Sequence, residues 1–569
     1  MKKTLWIVAG VLAFGTLAWV QVNQPGKPPL ASLIPAGPMI YLEAQDFHAA
    51  LDEWNQSGVK RAWLASANYR VFSNSNLLQK LQGLYQEYGA VAGFLPGLPG
   101  TLEIAGGQSA LGLYDLREQQ FVYITRLDES QFVKSELWRL RDRFTTRQAS
   151  GIQFYLRRDD ASNRTVAFAF TNGWLIMATR DDLIAKTLAL IAGQPASNLA
   201  SEAWYSGALA RAGNPGELRM ALNIQALTSD VRFRSYWIQR NVSELRPFEA
   251  EIVDVQRTQQ DIAENRILVR TAEQTITLPS ASALAKVAAL RSLAPLDAAL
   301  TRAWAAPSPD LVESLIETRL LNSPAEAPRQ SDYAPAAVST DDPAGSEQDL
   351  ETRIDEPPLA NAVTGALKSA AIRELISRGA PDALLQIEST TRASGFVRTP
   401  SVLVVSAPAN WDAAALRQGL SSAVETLWST SRLGVEWRQV AMGGHSGQEL
   451  NGLATLLFAI EGNRLYLAND SALLLATLNR TAIPPVQSGP AYVAEFHHSR
   501  ERADYMSIMQ ALDFGARQQS FLFTPQGNRT PQFFSDNLGS LSSVFNFIQR
   551  MIVTRVESQG VETQRVVYR

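Results

Sequence analysis

The chain has 569 residues, of which 46% are hydrophobic and 19% are charged, proportions that allow globular domains with full cores. Its 52 basic residues are spread among 55 acidic ones, which excludes the clustered basic face of a typical nucleic-acid-binding protein. It has no cysteine, which excludes disulfides, thiolate metal sites, a cysteine nucleophile and a bacterial lipoprotein anchor.

The N-terminal segment predicts export from the cytoplasm. An uncharged apolar run follows Lys2 and Lys3. One interpretation is a signal anchor, residues 1–23, which crosses the inner membrane through residues 5–22 and leaves the lysines cytoplasmic. The other is a signal peptide cut after Ala18. We favour the anchor because the apolar run continues past that site. Both interpretations place the bulk of the chain in the periplasm.

After a Pro-rich linker, residues 24–32, strand and helix patterns alternate along the chain. Period-two and turn signals predict strands at 39–44, 110–114, 121–126, 152–157, 165–170, 174–178, 217–224, 250–257 and 266–271. Apolar residues at helical spacing predict helices at 77–88, 129–143, 179–192, 226–239 and 281–290. A last strand pair is predicted at 550–557 and 563–569.

One stretch recurs 290 residues later in the chain. Phe168–Leu188, FAFTNGWLIMATRDDLIAKTL, aligns without a gap with Phe458–Leu478, FAIEGNRLYLANDSALLLATL. Shorter matches near the start of each half have a spacing of 260 residues, and the closing strand pairs are alike. The recurrence predicts two tandem related units, residues 33–272 and residues 293–569, joined by a connector over residues 273–292.

The repeated stretch carries turn and cap signals in both copies. Asn172-Gly173 predicts a type I′ hairpin turn, because both residues tolerate a positive φ. Thr179 and Asp182 predict a capping box at the start of the next helix. In the second copy, Asn469 is the predicted N-cap.

The order of elements predicts the fold class. Strand pairs with short turns alternate with single helices, which favours α+β units with mainly antiparallel sheets and packed helices, after an N-terminal transmembrane helix. An insert at residues 322–358 has nine acidic and two basic residues and many prolines. We expect it to be disordered, and its length explains the change in repeat spacing.

Few histidines are available for metal binding or catalysis. The four histidines are His48, His445, His497 and His498. His497 and His498 follow a strand predicted at 492–496, so their side chains should point to opposite faces. Glu495 or Glu501 could add an oxygen ligand, but a zinc site needs about four converging ligands and no recognised spacing is present. We therefore predict no metal, cofactor or catalytic residues.

A glycine-rich segment resembles a hydrolase motif only in part. In Gly443-Gly444-His445-Ser446-Gly447, Ser446 has a glycine two residues before it, but Gln448 two residues after it. A nucleophile elbow requires glycine at both places, between a strand and a helix. The flanking residues favour a glycine turn between strands.

The layout resembles the uncharacterised, membrane-anchored bacterial envelope proteins filed under domains of unknown function. The resemblance rests on the Lys2-Lys3 start, the opening Leu33-Ile34-Pro35-Ala36 followed by Ile40-Tyr41-Leu42, and the repeated strand-helix units. Some members are encoded near envelope macroglobulin-like proteins, so the resemblance implies a role in envelope maintenance. It implies no catalytic residues.

Together these patterns predict a non-enzymatic, membrane-anchored periplasmic protein that binds or scaffolds another protein of the cell envelope. No nucleic-acid partner is expected. The alternative is an envelope hydrolase with a site between the two units, which would use His497 or Ser446.

Overall fold

A computed structural model describes the chain in segments: residues 29–74, 76–94, 98–230, 233, 245–258, 260–272, 277–321, 370–390, 392–393, 397–427, 436–451, 455–484, 489–501 and 538–569. The predicted N-terminal anchor and the predicted disordered insert lie outside these residues. The chain divides into two compact units, Met1–His48 with Gln86–Ala210, and Ala49–Tyr85 with Arg211–Arg569. This division groups residues 211–272 with the second unit, so the boundaries predicted from the repeat stay a prediction.

The transmembrane helix in the predicted fold class is wrong for the part of the chain that the structure describes. No helix there combines the length with the apolar character needed to cross a membrane. The α+β character and the antiparallel pairing are present, and they form the corrected fold class.

The sheet of the first unit has seven antiparallel strands. They are β1 (Ile40–Ala44), β2 (Ser109–Asp115), β3 (Gln120–Arg126), β4 (Thr145–Ala149), β5 (Ile152–Asp159), β6 (Arg164–Thr171) and β7 (Trp174–Ala178). Their spatial order is β1-β2-β3-β7-β6-β5-β4. Most connections are tight hairpins, so the order follows the alternation of strand pairs and short turns in the sequence.

The helices of the N-terminal 210 residues are α1 (Phe47–Gln56), α2 (Gly58–Ala65), α3 (Ala67–Ser73), α4 (Asn76–Ala92), α5 (Leu98–Ile104), α6 (Glu129–Phe132), α7 (Glu136–Arg139), α8 (Asp181–Ile191) and α9 (Ala203–Leu209). Short 3₁₀ turns lie at Leu30–Leu33, Arg141–Arg143 and Leu199–Ser201. The single helix predicted at 129–143 is wrong. Ser135 interrupts it, because its hydroxyl accepts a hydrogen bond from the Trp138 amide and caps α7 at 3.3 Å.

The aromatic start of the repeated stretch forms the core of the first unit. Phe168 is fully buried. It stacks on Tyr155, directly opposite on β5, with ring centroids 4.9 Å apart, and meets Phe144 edge-on at 5.1 Å. The predicted Asn172-Gly173 turn is confirmed, with φ of 53° and 75° at the two residues. It places Trp174 opposite Thr171 and so fixes the register of β6 and β7.

The second unit is built on a longer antiparallel sheet. Its strands are β8 (Leu218–Asn223), β9 (Phe248–Arg257), β10 (Ile262–Arg270), β11 (Leu300–Ala305), β12 (Ala383–Glu388), β15 (Ser401–Ser406), β16 (Glu436–Met442), β17 (His445–Asn451), β18 (Leu456–Glu461), β19 (Arg464–Ala468), β20 (Tyr492–His497), β21 (Arg550–Ser558) and β22 (Val561–Tyr568). The short strands β13 (Arg392–Ala393) and β14 (Val397–Arg398) pair separately. The order is β8-β9-β10-β22-β21-β20-β11-β12-β15-β19-β18-β17-β16.

Helices pack on both faces of the β11-to-β16 part of this sheet. From residue 211 onwards they are α10 (Ile224–Ser229), α11 (Ala281–Arg291), α12 (Pro309–Leu315), α13 (Ala370–Gly379), α14 (Ala413–Leu427), α15 (Ser471–Leu478) and α16 (Ser542–Phe545). A π-helical turn, Ile316–Leu320, follows α12, and a 3₁₀ turn, Leu538–Leu541, precedes α16. Two buried apolar clusters result, one on each face.

The strand order of the first unit recurs inside the second. The run β11-β12-β15-β19-β18-β17-β16 has the order first, second, third, seventh, sixth, fifth, fourth, as in β1 to β7. The sequence repeat therefore reflects a repeated topology. The two closing strand pairs do not close separate units, however. β10 pairs with β22 from Ile262 opposite Tyr568 to Val269 opposite Val561, so the pairs join into one four-stranded ribbon.

The capping box predicted at Thr179 and Asp182 is wrong. The N-cap of α8 is Arg180, which makes no side-chain cap hydrogen bond. The Thr179 hydroxyl instead accepts a hydrogen bond from the Phe121 amide on β3, at 2.9 Å. A contact with a neighbouring strand has replaced the local cap.

The predicted N-cap in the second copy is also wrong by one residue. Asp470 caps α15 by accepting a hydrogen bond from the Leu473 amide at 2.9 Å. Asn469, at the position that matches Thr179, accepts a hydrogen bond from the Ser401 amide on β15 at 2.8 Å. Both copies therefore use this position to hold the strand next to the repeated hairpin.

Candidate functional site: an arginine cleft in the first unit

A polar cleft of about 370 Å³ opens in the first unit, among β3, β4, β5, β6 and the start of α8. We call it the arginine cleft, because four of its lining residues are Arg147, Arg158, Arg164 and Arg180. Its carboxylates are Glu118 and Asp181. Three further carboxylates, Glu87, Asp160 and Asp182, pair with arginines of the cleft from beside it.

The antiparallel register brings distant arginines into one cleft. Arg147 on β4 lies directly opposite Phe154 on β5, and Arg158 lies four residues further along β5 on the same face. At a rise of about 3.3 Å per residue, the two arginines are about 13 Å apart along the strand direction. Arg158 also lies opposite Thr165, which lines the same cleft. The cleft is therefore extended along the sheet.

Arg164 is a fixed part of the cleft wall. Its side chain is only 13% exposed and donates hydrogen bonds to Glu87 at 2.9 Å and to Glu118 at 3.0 Å. Its guanidinium also lies over the ring of Tyr88, 5.4 Å from the centroid. Burial acts against its charge, but the hydrogen bond to Glu87 and the nearby acidic groups raise the pKa of Arg164. These contacts position Arg164 structurally.

Arg180 is also held by several partners. It donates to both carboxylate oxygens of Asp182, at 2.7 Å and 2.8 Å, and to the side-chain oxygen of Gln120 at 2.7 Å. Lys186 donates to the same carboxylate at 3.2 Å. Partial burial opposes ionisation, but the hydrogen bonds from Arg180 and Lys186 lower the pKa of Asp182. The charge at this end of the cleft is therefore pre-oriented.

Arg147 and Arg158 are held much more weakly. Arg147 has a single contact of 3.1 Å with Asp181, and both side chains are at least half exposed. Arg158 lies 3.7 Å from Asp160, whose side chain is 99% exposed, and donates to the Asn163 side chain at 2.7 Å. Exposed ion pairs of this kind contribute about 0–1 kcal/mol. An incoming anion can therefore displace these carboxylates at little cost.

Ser446 does not have the geometry of a nucleophile. Gly443 and Gly444 have positive φ and form the two-residue turn between Met442 and His445, which are paired in register. Ser446 accepts a hydrogen bond from the Gln439 side chain at 3.1 Å. The neighbouring His445 hydrogen-bonds elsewhere, so it does not act as a base for Ser446 (its partners are Glu461 and Asn479).

His497 belongs to an ion-pair network in the second unit. Its Nε2 lies 2.7 Å from Glu495, which also accepts from Arg550 at 2.6 Å and from Arg291 at 2.7 Å. Burial lowers the pKa of His497, and its hydrogen bond to Glu495 only partly opposes this. His498 instead packs edge-on against the Phe545 ring at 5.0 Å. His497 ends β20 and His498 lies just after it, outside the strand, so the prediction of opposite strand faces does not apply to this pair.

The described segments contain no group of side chains arranged as metal ligands. No three His, Asp or Glu residues there converge as a metal site. His48, near the start of α1, lies 3.2 Å from the Ala105 carbonyl oxygen through its Nδ1. Of the sequence-derived candidates, the structure brings together His497 and Glu495, in an ion-pair network, whereas His48 and Ser446 have other partners. It assembles arginines that sequence reasoning did not single out, and the clearest signal for them was the density of Arg157, Arg158 and Arg164 around one hairpin.

Comparison with known proteins does not assign this chain to a family. No family model and no curated protein matches this chain. Among solved structures, crystal form I of TP0453 gives a TM-score of 0.24 at 9% identity, covering 44% of this chain and 82% of that chain. Crystal form III gives 0.24 at 9% identity, with coverages of 45% and 85%, and form IV gives 0.23 at 8%, with 42% and 79%. Likeness at these TM-scores carries no argument, and the resemblance to envelope proteins stays a prediction.

Proposed function

We propose that this chain is a non-enzymatic binding protein that recognises an extended anionic ligand in the arginine cleft. The observation that carries the proposal is the pairing pattern of the four arginines. Arg164 and Arg180 are fixed by several buried or bidentate contacts, whereas Arg147 and Arg158 have weak, exposed partners. The fixed pair shapes the wall, and the weakly held pair is available to the ligand.

The chemistry of the ligand follows from the guanidinium groups. Arginine presents a planar fork of donors that matches the oxygens of phosphate and carboxylate groups. Because Arg147 on β4 and Arg158 on β5 are separated along the strand direction, an anion with charges at more than one position can contact both. A polyphosphate is the simplest probe with this property. Export of the chain and an envelope protein as partner stay predictions beside this proposal.

Isothermal titration calorimetry of the full chain with tripolyphosphate and orthophosphate tests the proposal. We expect tripolyphosphate to bind more tightly, and its binding to weaken as sodium chloride is added. Arg147→Ala and Arg158→Ala should each weaken it about 10- to 150-fold, the equivalent of about 1.5–3 kcal/mol for a charge-assisted hydrogen bond.

Arg139→Ala is the matched control, because Arg139 is an exposed arginine of the same unit that pairs with Glu136 on the surface, outside the cleft. It should leave tripolyphosphate affinity unchanged. Equal weakening by Arg139→Ala and Arg158→Ala would mean that net charge alone attracts the anion. That result, or no binding of either phosphate, would refute the proposal.

A further inference from the structure

A second cleft lies entirely within the second unit and has a different chemical character. Its volume is about 210 Å³, and its walls include Trp304, Arg555 and Glu557. Trp304 on β11 lies opposite Tyr492 on β20, and Tyr492 lies opposite Arg555 on β21. The register therefore places a tryptophan, a tyrosine and an arginine in one row across three strands. We call this the aromatic cleft.

The three side chains of this row contact one another. The rings of Trp304 and Tyr492 are 5.4 Å apart between centroids and are tilted by 44°. The Arg555 guanidinium lies 5.2 Å from the centre of the Tyr492 ring. Glu557 follows two residues after Arg555 on β21, so both side chains lie on the same face of the strand. Trp304 thus gives the cleft an aromatic wall residue, which Tyr492 contacts from outside the lining, and Arg555 and Glu557 add a positive and a negative group.

One hydrogen-bond donor of Arg555 has no acceptor among the described residues. Its Nε lies 3.6 Å from Glu557 and its Nη1 lies 3.8 Å from Glu562, and both distances are too long for hydrogen bonds of about 2.7–3.2 Å. The Nε is buried and has no hydrogen-bond acceptor among the described residues. A buried donor without an acceptor is unfavourable. The Arg555 side chain as a whole is 34% exposed and lines the cleft, so its guanidinium can donate to a ligand oxygen there.

The chain after β11 turns sharply to form another part of the cleft. Ala306 lines it with a φ of 46°, a left-handed conformation that is uncommon outside glycine. The turn is held by the Ala306 amide, which donates to the Asp382 carbonyl oxygen at 2.8 Å. The Ser308 hydroxyl then accepts from the Leu311 amide at 3.2 Å. This bend brings Leu311 to the cleft as an apolar contact.

We propose that the aromatic cleft binds a single uncharged, polyhydroxylated ring, such as one saccharide unit. Hydroxyl groups can accept from Arg555 and also donate to Glu557, whereas an anion would meet the Glu557 carboxylate. The apolar face of such a ring packs on the Trp304 ring, which lines the cleft. The cleft is smaller than the roughly 300–1,000 Å³ of drug-sized pockets, which fits one ring. This proposal is independent of the arginine cleft.

Saturation-transfer-difference NMR and calorimetry on the full chain test it, with N-acetylglucosamine as the neutral probe and alanine as a zwitterionic one. N-acetylglucosamine should bind and alanine should not. Arg555→Lys keeps the charge but removes the planar guanidinium with its several donors, and should weaken N-acetylglucosamine binding at least tenfold. Glu557→Gln should weaken it in the same direction.

Arg438→Lys is the control, because Arg438 is an exposed arginine of the same unit on β16, paired with Glu449. It should not change the affinity. Unchanged thermal unfolding and circular dichroism show that each variant is folded. Binding of alanine in preference to N-acetylglucosamine would overturn the proposal. So would the absence of any N-acetylglucosamine signal, or equal losses in Arg438→Lys and Arg555→Lys.

Discussion

A buried ion pair gives a sharp test of how the second unit is held together. Arg219 on β8 and Asp254 on β9 are directly opposite in register, and the guanidinium donates to both carboxylate oxygens, at 2.7 Å and 2.8 Å. Their side chains are only 4% and 6% exposed. Arg219→Met removes one charge and leaves the other buried, so we expect a loss of about 3–5 kcal/mol.

Hydrogen exchange measured by mass spectrometry on the full chain suits this test, because it reports local opening of peptides that cover β8 and β9. The expected loss corresponds to about 10²- to 10⁴-fold less protection there, at 1.36 kcal/mol per factor of ten. Peptides that cover β6 and β7 of the first unit should keep their protection, and they serve as the internal control.

A double variant separates the cost of leaving one buried charge unpaired from the cost of altered packing. Asp254→Leu combined with Arg219→Met removes both charges and should restore most of the protection, because a buried pair is often replaceable by apolar side chains. If the single variant lost less than about 1 kcal/mol, or the double variant lost as much as the single one, the argument from desolvation would be wrong.

Three further predictions concern single residues. Burial, with nearby Glu264 and Glu562, raises the pKa of Glu251. This group therefore stabilises the fold at low pH, and that contribution is lost as the pH rises through the raised pKa. Glu251→Gln should raise the unfolding temperature at pH 7.5 and have a smaller effect at pH 4. Phe168→Ala empties a fully buried aromatic site and should cost about 3–5 kcal/mol, measured as faster exchange of β6 amides, unless the neighbouring rings close the cavity. Asp470→Ala removes the cap of α15 and should cost about 1 kcal/mol, seen as faster exchange in its first turn, whereas Asp470→Asn should not.

Local patterns predicted most strands of the first half of the chain, whereas few elements between residues 293 and 549 were predicted. Contacts between elements account for the wrong caps. The Asn172-Gly173 turn depends on backbone preference alone, and it is present as predicted. The cap at Thr179 failed because a tertiary hydrogen bond to Phe121 competes for the same hydroxyl, and no local rule includes that bond. The transmembrane helix was inferred from an apolar run in residues 1–23, outside the described part of the chain, and no described helix has that character.

The arginine cleft could not be predicted from the sequence, for a different reason. Its arginines come from β4, β5, β6 and the start of α8, and only the strand order places these elements together. Each arginine alone, such as Arg147 or Arg158, has the sequence context of an ordinary solvated residue. The aromatic cleft is similar, because Trp304, Tyr492 and Arg555 are neighbours only through strand register.

The two copies of the repeat differ at one position in a way that supports a function for the arginine cleft. Asp470 caps α15 with its side chain, and the matching residue in the first copy is Arg180, which leaves α8 without a side-chain cap. Such a cap is worth about 1 kcal/mol, so the first copy lacks a stabilising contact that the common fold can provide. In its place, Arg180 contributes a guanidinium to the cleft wall, fixed by Asp182. Departures from local folding rules concentrate at functional sites, and this one falls on the cleft that we propose binds an anion.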